Sequence, residues 1–258
     1  MRIRLILVTI PTLLLGGCVA VRSIFYTPSD TGAPPYSFED LEPPETDPYS
    51  RFKDWKRPEG PPKVGLQAGH WKNSELPDEL ERLRGNTGSS GGGKSEWEVN
   101  LAIAEVTKEL LNTRGINVDI LPATPPVDYW ADVFVAIHAD GSTDLSKSGF
   151  KAATPRRDLS GKASSLLEFI EQNYVEATKL KKDPNVTRNM RGYYAFAWWR
   201  YQHSVHPMTP SVILETGFLT NASDRRIIVS RPELSAQGIA SGIINYLETE
   251  KLLPNDQN

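Results

Sequence analysis

Cysteine is almost absent: the 258 residues contain one, Cys18. That excludes an internal disulfide and any cysteine-built metal site. An excess of charge of one sign is missing too. Lysine and arginine number 29 against 32 aspartates and glutamates, a formal net charge of -3. No basic face therefore points to nucleic acid as a partner. No apolar run reaches the roughly 20 residues that a membrane-spanning helix needs. There is no internal repeat and no compact HExxH pair of histidines.

What is present begins at the N-terminus. Arg2 and Arg4 precede an apolar run from Leu5 to Leu15. Its length suits the core of a signal peptide and falls short of a bilayer span. The run closes on Leu15-Gly16-Gly17-Cys18, small residues ahead of the only cysteine. This stretch resembles the bacterial lipobox, which implies cleavage after Gly17 and acylation of Cys18. The alternative is an ordinary signal peptide with a chance cysteine. Residues 1–17 are thus expected to be a lipoprotein signal peptide and residues 18–62 a lipidated tether. Nine prolines between Pro28 and Pro62 punctuate that tether, and no apolar period runs through it. As a flexible coil it would hold a domain roughly 30–40 Å from the membrane. A pro-segment packed on the domain is the other reading.

The pattern changes at Lys63. Val64-Gly65-Leu66 reads as a strand leading to Gly69-His70, and residues 72–95 as a long polar, glycine-rich loop. A helix starts at Ser95, with Val99, Ile103, Val106 and Leu110 expected on its inner face and Gly115 as its stop. Strands are expected at Val118–Leu121, at Asp132–Ile137, near Phe150 and at Ser211–Leu214. A helix carrying Leu166, Leu167, Ile170 and Tyr174 and a last helix from Pro232 to Leu247 complete the pattern. Strands apolar on both faces, alternating with long helices, predict one α/β domain over residues 63–251. Its open sheet, mostly parallel or mixed, would be covered by helices on both faces. Residues 252–258 are left as a tail.

Sites in such sheets lie at the carboxyl ends of the strands. That directs attention to His70, His138 and Glu215, each at the end of an expected strand. Glu215 follows Val-Ile-Leu, where an unpartnered carboxylate is expensive to bury. Ser95 and Glu98 have the spacing of a capping box, so Glu98 has a structural task. Glu96 is free either to complement the helix dipole or to point toward the strand ends. Two histidines with one carboxylate compose an open zinc set that leaves a fourth position for water. A second glutamate nearby can then serve as base and acid.

Four segments resemble the zinc-dependent N-acetylmuramoyl-L-alanine amidases of the amidase type 3 group: Leu66-Gln67-Ala68-Gly69-His70, Glu96-Trp97-Glu98-Val99-Asn100-Leu101-Ala102, Ala136-Ile137-His138-Ala139-Asp140, and Leu214-Glu215-Thr216-Gly217-Phe218-Leu219-Thr220-Asn221. Order and spacing agree over roughly residues 63–249. The resemblance implies a peptidoglycan hydrolase in which zinc-activated water cuts the amide between N-acetylmuramic acid and L-alanine. It implies His70, Glu96 and His138 as zinc ligands and Glu215 as the catalytic carboxylate. It makes peptidoglycan the substrate and the membrane a partner through the lipid anchor, in the exported, membrane-anchored part of the bacterial cell envelope. No motif marks a site for a protein activator, and the sequence leaves room for one.

The chain departs from that pattern where the family has aspartate and proline, which are Gln67 and Ala68 here. A glutamine carbonyl can orient a histidine without charge. Residues 121–131 are short and proline-rich, and Asp140 stands where the family has asparagine. Residues 193–203 hold Tyr193, Tyr194, Phe196, Trp198, Trp199, Tyr201 and His203, suited either to stacking on sugars or to filling a core. His203 and His206 match no motif and are read as surface or supporting residues. Two rivals remain open at this point: an inactive relative that only binds peptidoglycan, and a zinc hydrolase of another cell-wall amide. Cys18→Ser is expected to shift the protein from the membrane fraction to the soluble one; unchanged partition on fractionation would count against acylation.

Overall fold

The computed structural model describes residues 49–253; the expected signal peptide, Cys18 and most of the expected tether lie outside them. The apolar runs become strands: β1 (Lys63–Ala68), β4 (Asn117–Leu121), β5 (Val133–Asp140) and β7 (Ser211–Phe218). With the short β6 (Lys151–Ala153) they form a five-stranded sheet in the order β4-β1-β5-β7-β6. All neighbours are parallel except β6, which pairs antiparallel with β7. The expected mostly parallel or mixed α/β sheet is therefore the fold.

The two faces are covered unequally. Val64, Leu66, Val133, Val135, Ile137, Val212 and Leu214 point to one face. The three long helices α1 (Glu96–Asn112), α2 (Ala163–Thr178) and α5 (Pro232–Thr249) pack there. Phe134, Ala136 and Ile213 point to the other face, which is covered by Met190 of the one-turn helix α3 (Arg188–Arg191) and by Ala195, Phe196 and Val205. The site residues at 67, 138, 151 and 215 share the parity of this second face.

The inner row of α1 differs from the expectation. Leu111 is buried and Leu110 is 37% exposed. A row stepping by four from Val99 passes through Ile103 and Thr107 to Leu111, so an inward threonine had hidden the phase. Thr107 keeps that place because its hydroxyl bonds the Ile103 carbonyl at 2.7 Å.

The long loop at 72–95 is more ordered than its composition suggests. Two 3-10 segments, Asn73–Glu75 and Asp78–Leu83, bury Leu76, Leu80 and Leu83 against Ala123, Ala197 and Tyr201. A two-stranded hairpin, β2 (Ser90–Gly91) with β3 (Lys94–Ser95), closes the loop. The last part of the expected tether also packs on the domain. Phe52 and Trp55 lie against Trp198, Trp130 and His206, and Arg57 clamps the buried Asp132 through two nitrogens at 2.6 and 2.9 Å. Burial of those rings outweighs the weak local order of a proline-rich stretch.

Helix α5 approaches α2 through Gly238 and Gly242. A β-carbon at Gly242 would stand 2.7 Å from the Ile170 α-carbon, and one at Gly238 would stand 2.8 Å from that of Tyr174. Gly242→Ala would gain about 1 kcal/mol of helix propensity. It would also force two backbones apart, a larger cost of about 1–3 kcal/mol. A net loss in melting temperature of a few degrees is expected by calorimetry; a rise would show that the seam can widen freely.

Candidate metal centre

Each member of the centre is placed by a different piece of chain. His70 lies two residues beyond β1, with φ of 62°. A histidine in this left-handed region is strained and must be held by its surroundings. Its Nδ1 lies 3.0 Å from the Asn86 carbonyl, which can only accept, so Nδ1 carries the proton and Nε2 faces inward. Glu96 is the first residue of α1, behind the reciprocal capping pair of Ser95 and Glu98. Glu98 Oε2 accepts from the Ser95 amide at 2.9 Å, and its other oxygen meets Lys94. The two neighbouring glutamates thus point to opposite tasks.

His138 sits near the end of β5, 7% exposed. Its Nδ1 is 3.0 Å from Glu96 Oε1, and His70 Nε2 is 3.4 Å from the same oxygen. Glu96 also accepts amides from Ala139 at 3.1 Å and Ser89 at 2.6 Å. The donor atoms of His70, Glu96 and His138 lie within 4.8 Å of one another. Two imidazoles and one carboxylate so gathered fit a zinc ion in chemistry and spacing. Glycine makes the gathering feasible. A β-carbon at Gly69 would fall on the His138 ring, 2.6 Å from Nδ1, and one at Gly88 would meet Glu96 and stand 2.7 Å from His70 Cδ2.

Glu215 stands beside His138 in the register of β5 and β7, and Lys151 of β6 stands beside Glu215 on its other side. These three form a row across one face of the sheet. Lys151 is 7% exposed and pairs with Asp140 and with Asp183. The pairing of β5 with β7 slips just past His138, so that Asp140 meets Phe218.

The electrostatics of the cluster are uneven. Burial pushes the Glu215 carboxyl up to about 8, with the charge of His138 opposing and the charges of Asp140 and Glu96 adding. Glu96 goes the other way: burial would raise it, but hydrogen bonding and charge from His138 and His70 bring it to about 2. Burial lowers His70. For His138 burial also acts downward, and is outweighed by the hydrogen bond and charge of Glu96. Two carboxylates of one cluster, each feeling the other's charge or that of the same histidine, thus have opposite tendencies.

The end of β7 and the segment after it support the site without entering it. The Thr216 hydroxyl bonds the His138 carbonyl at 2.8 Å. The Asn221 side chain accepts from Ser223 and Asp224 at the start of α4 (Ala222–Ile228). Asp224 returns to the Phe218 amide at 2.8 Å.

Of the sequence candidates, His70, Glu96, His138 and Glu215 come together, while Ser95 and Glu98 cap α1. His203 lies elsewhere, 2.8 Å from Glu79, and His206 lies under Phe52 and Trp55. The aromatic stretch divides: Phe196 is in the core, Tyr193 and Tyr194 turn toward the site, and Trp198, Trp199 and Tyr201 line an open groove with Phe52 and His206. Sequence reasoning missed Lys151 and the amides of Ser89 and Ala139. Only an out-of-place lysine in a strand that reads Phe150-Lys151-Ala152-Ala153 hinted at the first.

An α/β sheet whose strand ends bring two histidines together with the carboxylate that opens α1 defines a site whose donor atoms fit a metal ion. The chain belongs to the Amidase_3 family, N-acetylmuramoyl-L-alanine amidase, whose pattern matches residues 64–245. It is similar to the N-acetylmuramoyl-L-alanine amidase LytC of Bacillus subtilis (strain 168), 27% identical over 175 residues, covering 62% of this chain and 33% of that protein. It is also similar to AmiC of Neisseria meningitidis serogroup B, 29% identical over 210 residues and covering 63% of this chain and 50% of that one. The chain thus spans a third to a half of the length of these relatives. The fold matches the amidase Ami1 of Mycobacterium smegmatis with a TM-score of 0.54 at 17% identity, over 72% of this chain and 97% of that one.

Gly69→Ala tests the packing of the centre. The added methyl falls on the His138 ring, so zinc affinity is expected to drop at least tenfold while the far-ultraviolet circular dichroism stays unchanged. Undiminished affinity in a chelator competition would show that the ring is free to move.

Proposed function

We propose that this protein is an exported, zinc-dependent peptidoglycan amidase that hydrolyses the bond between N-acetylmuramic acid and the L-alanine of the stem peptide. The observation that carries the reading is the convergence of His70, Glu96 and His138 with Glu215 one register position away, in a chain of the amidase family. Anchoring through Cys18 belongs to the same proposal. Among the described residues no helix is long and apolar enough to cross a membrane.

His70, Glu96 and His138 would hold the ion through Nε2, a carboxylate oxygen and Nδ1. Zinc supplies Lewis acidity toward the amide carbonyl and toward water. The chain's own residues do the rest. A Glu215 carboxylate oxygen takes the proton from the attacking water and returns it to the alanine nitrogen as the carbon–nitrogen bond breaks. One proton is borrowed and repaid, and the second proton of the water passes from the new carboxylic acid to the amine, leaving a lactyl carboxylate on the glycan and an ammonium on the peptide. Burial holds Glu215 high enough to exchange that proton near neutrality, and a divalent cation beside it acts in the opposite direction. Lys151, held by Asp140 and Asp183, keeps a positive charge beside Glu215 without competing for the ion.

Glu215→Gln keeps the shape and cannot take the proton. It is expected to retain zinc and fold while amide cleavage falls about a hundredfold or more. Glu98→Gln should cost modest stability and leave turnover nearly intact, and His138→Ala should lose the ion. Mass spectrometry of digested sacculi reads the product directly. Free stem peptides beginning with L-alanine support the proposal; an active Glu215→Gln, or cleavage within the stem peptide, overturns it.

A further inference from the structure

The two histidines are oriented by different means. His70 leans on the Asn86 carbonyl, whereas the outward nitrogen of His138 meets a side chain: its Nε2 is 3.1 Å from the Tyr193 hydroxyl. That hydroxyl donates to Gln67 Oε1 at 2.9 Å, and Gln67 Nε2 donates to the Ala123 carbonyl at 2.9 Å. Gln67 has no solvent exposure at all. The chain of bonds is anchored at a backbone carbonyl, and that fixes its direction.

A carbonyl oxygen only accepts. Gln67 must therefore turn its amide NH2 toward Ala123 and its oxygen toward Tyr193. The single phenolic proton of Tyr193 has two acceptors turned away from the histidine, Gln67 Oε1 at 2.9 Å and the Tyr194 oxygen at 3.2 Å. The phenolic oxygen then offers His138 only a lone pair. We infer that Tyr193 and Gln67 are positioning residues: they hold the His138 ring through Nε2, so that Nδ1 keeps facing Glu96 and the metal centre. Tyr194 stands 3.2 Å from the Tyr193 oxygen and bonds the same Ala123 carbonyl, but makes no bond to His138. A carboxylate at position 67 could also accept from Tyr193, but it would face the Ala123 carbonyl without a donor. Glutamine is the residue that serves both ends.

The inference rests on the reading of His138 as a zinc ligand, and the test separates the two. In the metal-free full chain, the 15N shifts of His138 report which ring nitrogens carry protons; wild type is expected to show Nε2 protonated, with Nδ1 bonded to Glu96. Gln67→Leu removes one of the two acceptors, lets the Tyr193 proton turn toward Nε2, and should move the population toward protonation on Nδ1 alone. Zinc affinity, by chelator competition, should fall about 10–100-fold in Tyr193→Phe and in Gln67→Leu. Because the two act in series, the double variant should be no worse than the weaker single one. Tyr194→Phe should stay within threefold of wild type, and the cobalt-substituted absorption should shift only in the variants at 67 and 193. Wild type without zinc affinity would sink the metal reading, and the tautomer shifts would then decide the inference by themselves. Full zinc affinity in Tyr193→Phe, additive losses in the double variant, or a wild type with no proton on Nε2 would overturn it.

Discussion

A buried carboxylate at the start of a helix is the constraint on which the site depends. Glu96 is 4% exposed. Its charge is tolerable because the Ser89 and Ala139 amides and the two imidazoles meet it. Those partners come from the hairpin loop, from β5 and from beyond β1. Satisfying one side chain therefore fixes the meeting of three distant segments. The same carboxylate makes the cluster suited to a cation, since oxygen and two nitrogens face inward once the outer bonds are made.

Close packing then sets the scale of the centre. Gly69 and Gly88 leave the space that the His138 ring, the His70 ring and the Glu96 carboxylate occupy. On the opposite side of the sheet, Gly238 and Gly242 let α5 lie directly against α2. The strained backbone at His70 fits this picture. It aims Nε2 inward, and the Asn86 carbonyl holds the other nitrogen in place.

The row His138, Glu215, Lys151 shows what a sheet register adds to a ligand set. Parallel pairing puts His138 beside Glu215, and antiparallel pairing with the edge strand brings Lys151 to the far side. A carboxyl raised by burial and a lysine held by Asp140 and Asp183 become neighbours although 64 positions separate Glu215 from Lys151 in the chain. The mixed character of the sheet thus has a consequence for the chemistry: without the reversed edge strand, no cation would stand there.

The sequence by itself determined the strands, the long helices and the three polar residues at the strand ends. Each leaves a local mark: an apolar run, a helical period, a capping pair, a polar residue closing a buried strand. It determined Glu98 as the cap and left Glu96 for the site, because the Ser-x-x-Glu spacing is local. Leu110 was placed inward where Leu111 belongs because Thr107 broke the apolar period while still facing inward, its hydroxyl satisfied by its own helix. The leucines of residues 76–83 and the rings of Phe52 and Trp55 were read as loop and tether because their packing comes from partners far away in sequence. Only the tertiary structure decided that Lys151 faces Glu215 and that Tyr193 and Gln67 meet His138. Hydrogen bonds and ion pairs between segments leave no period or spacing in the chain, since they depend on register and side-chain direction, which the assembled sheet alone supplies.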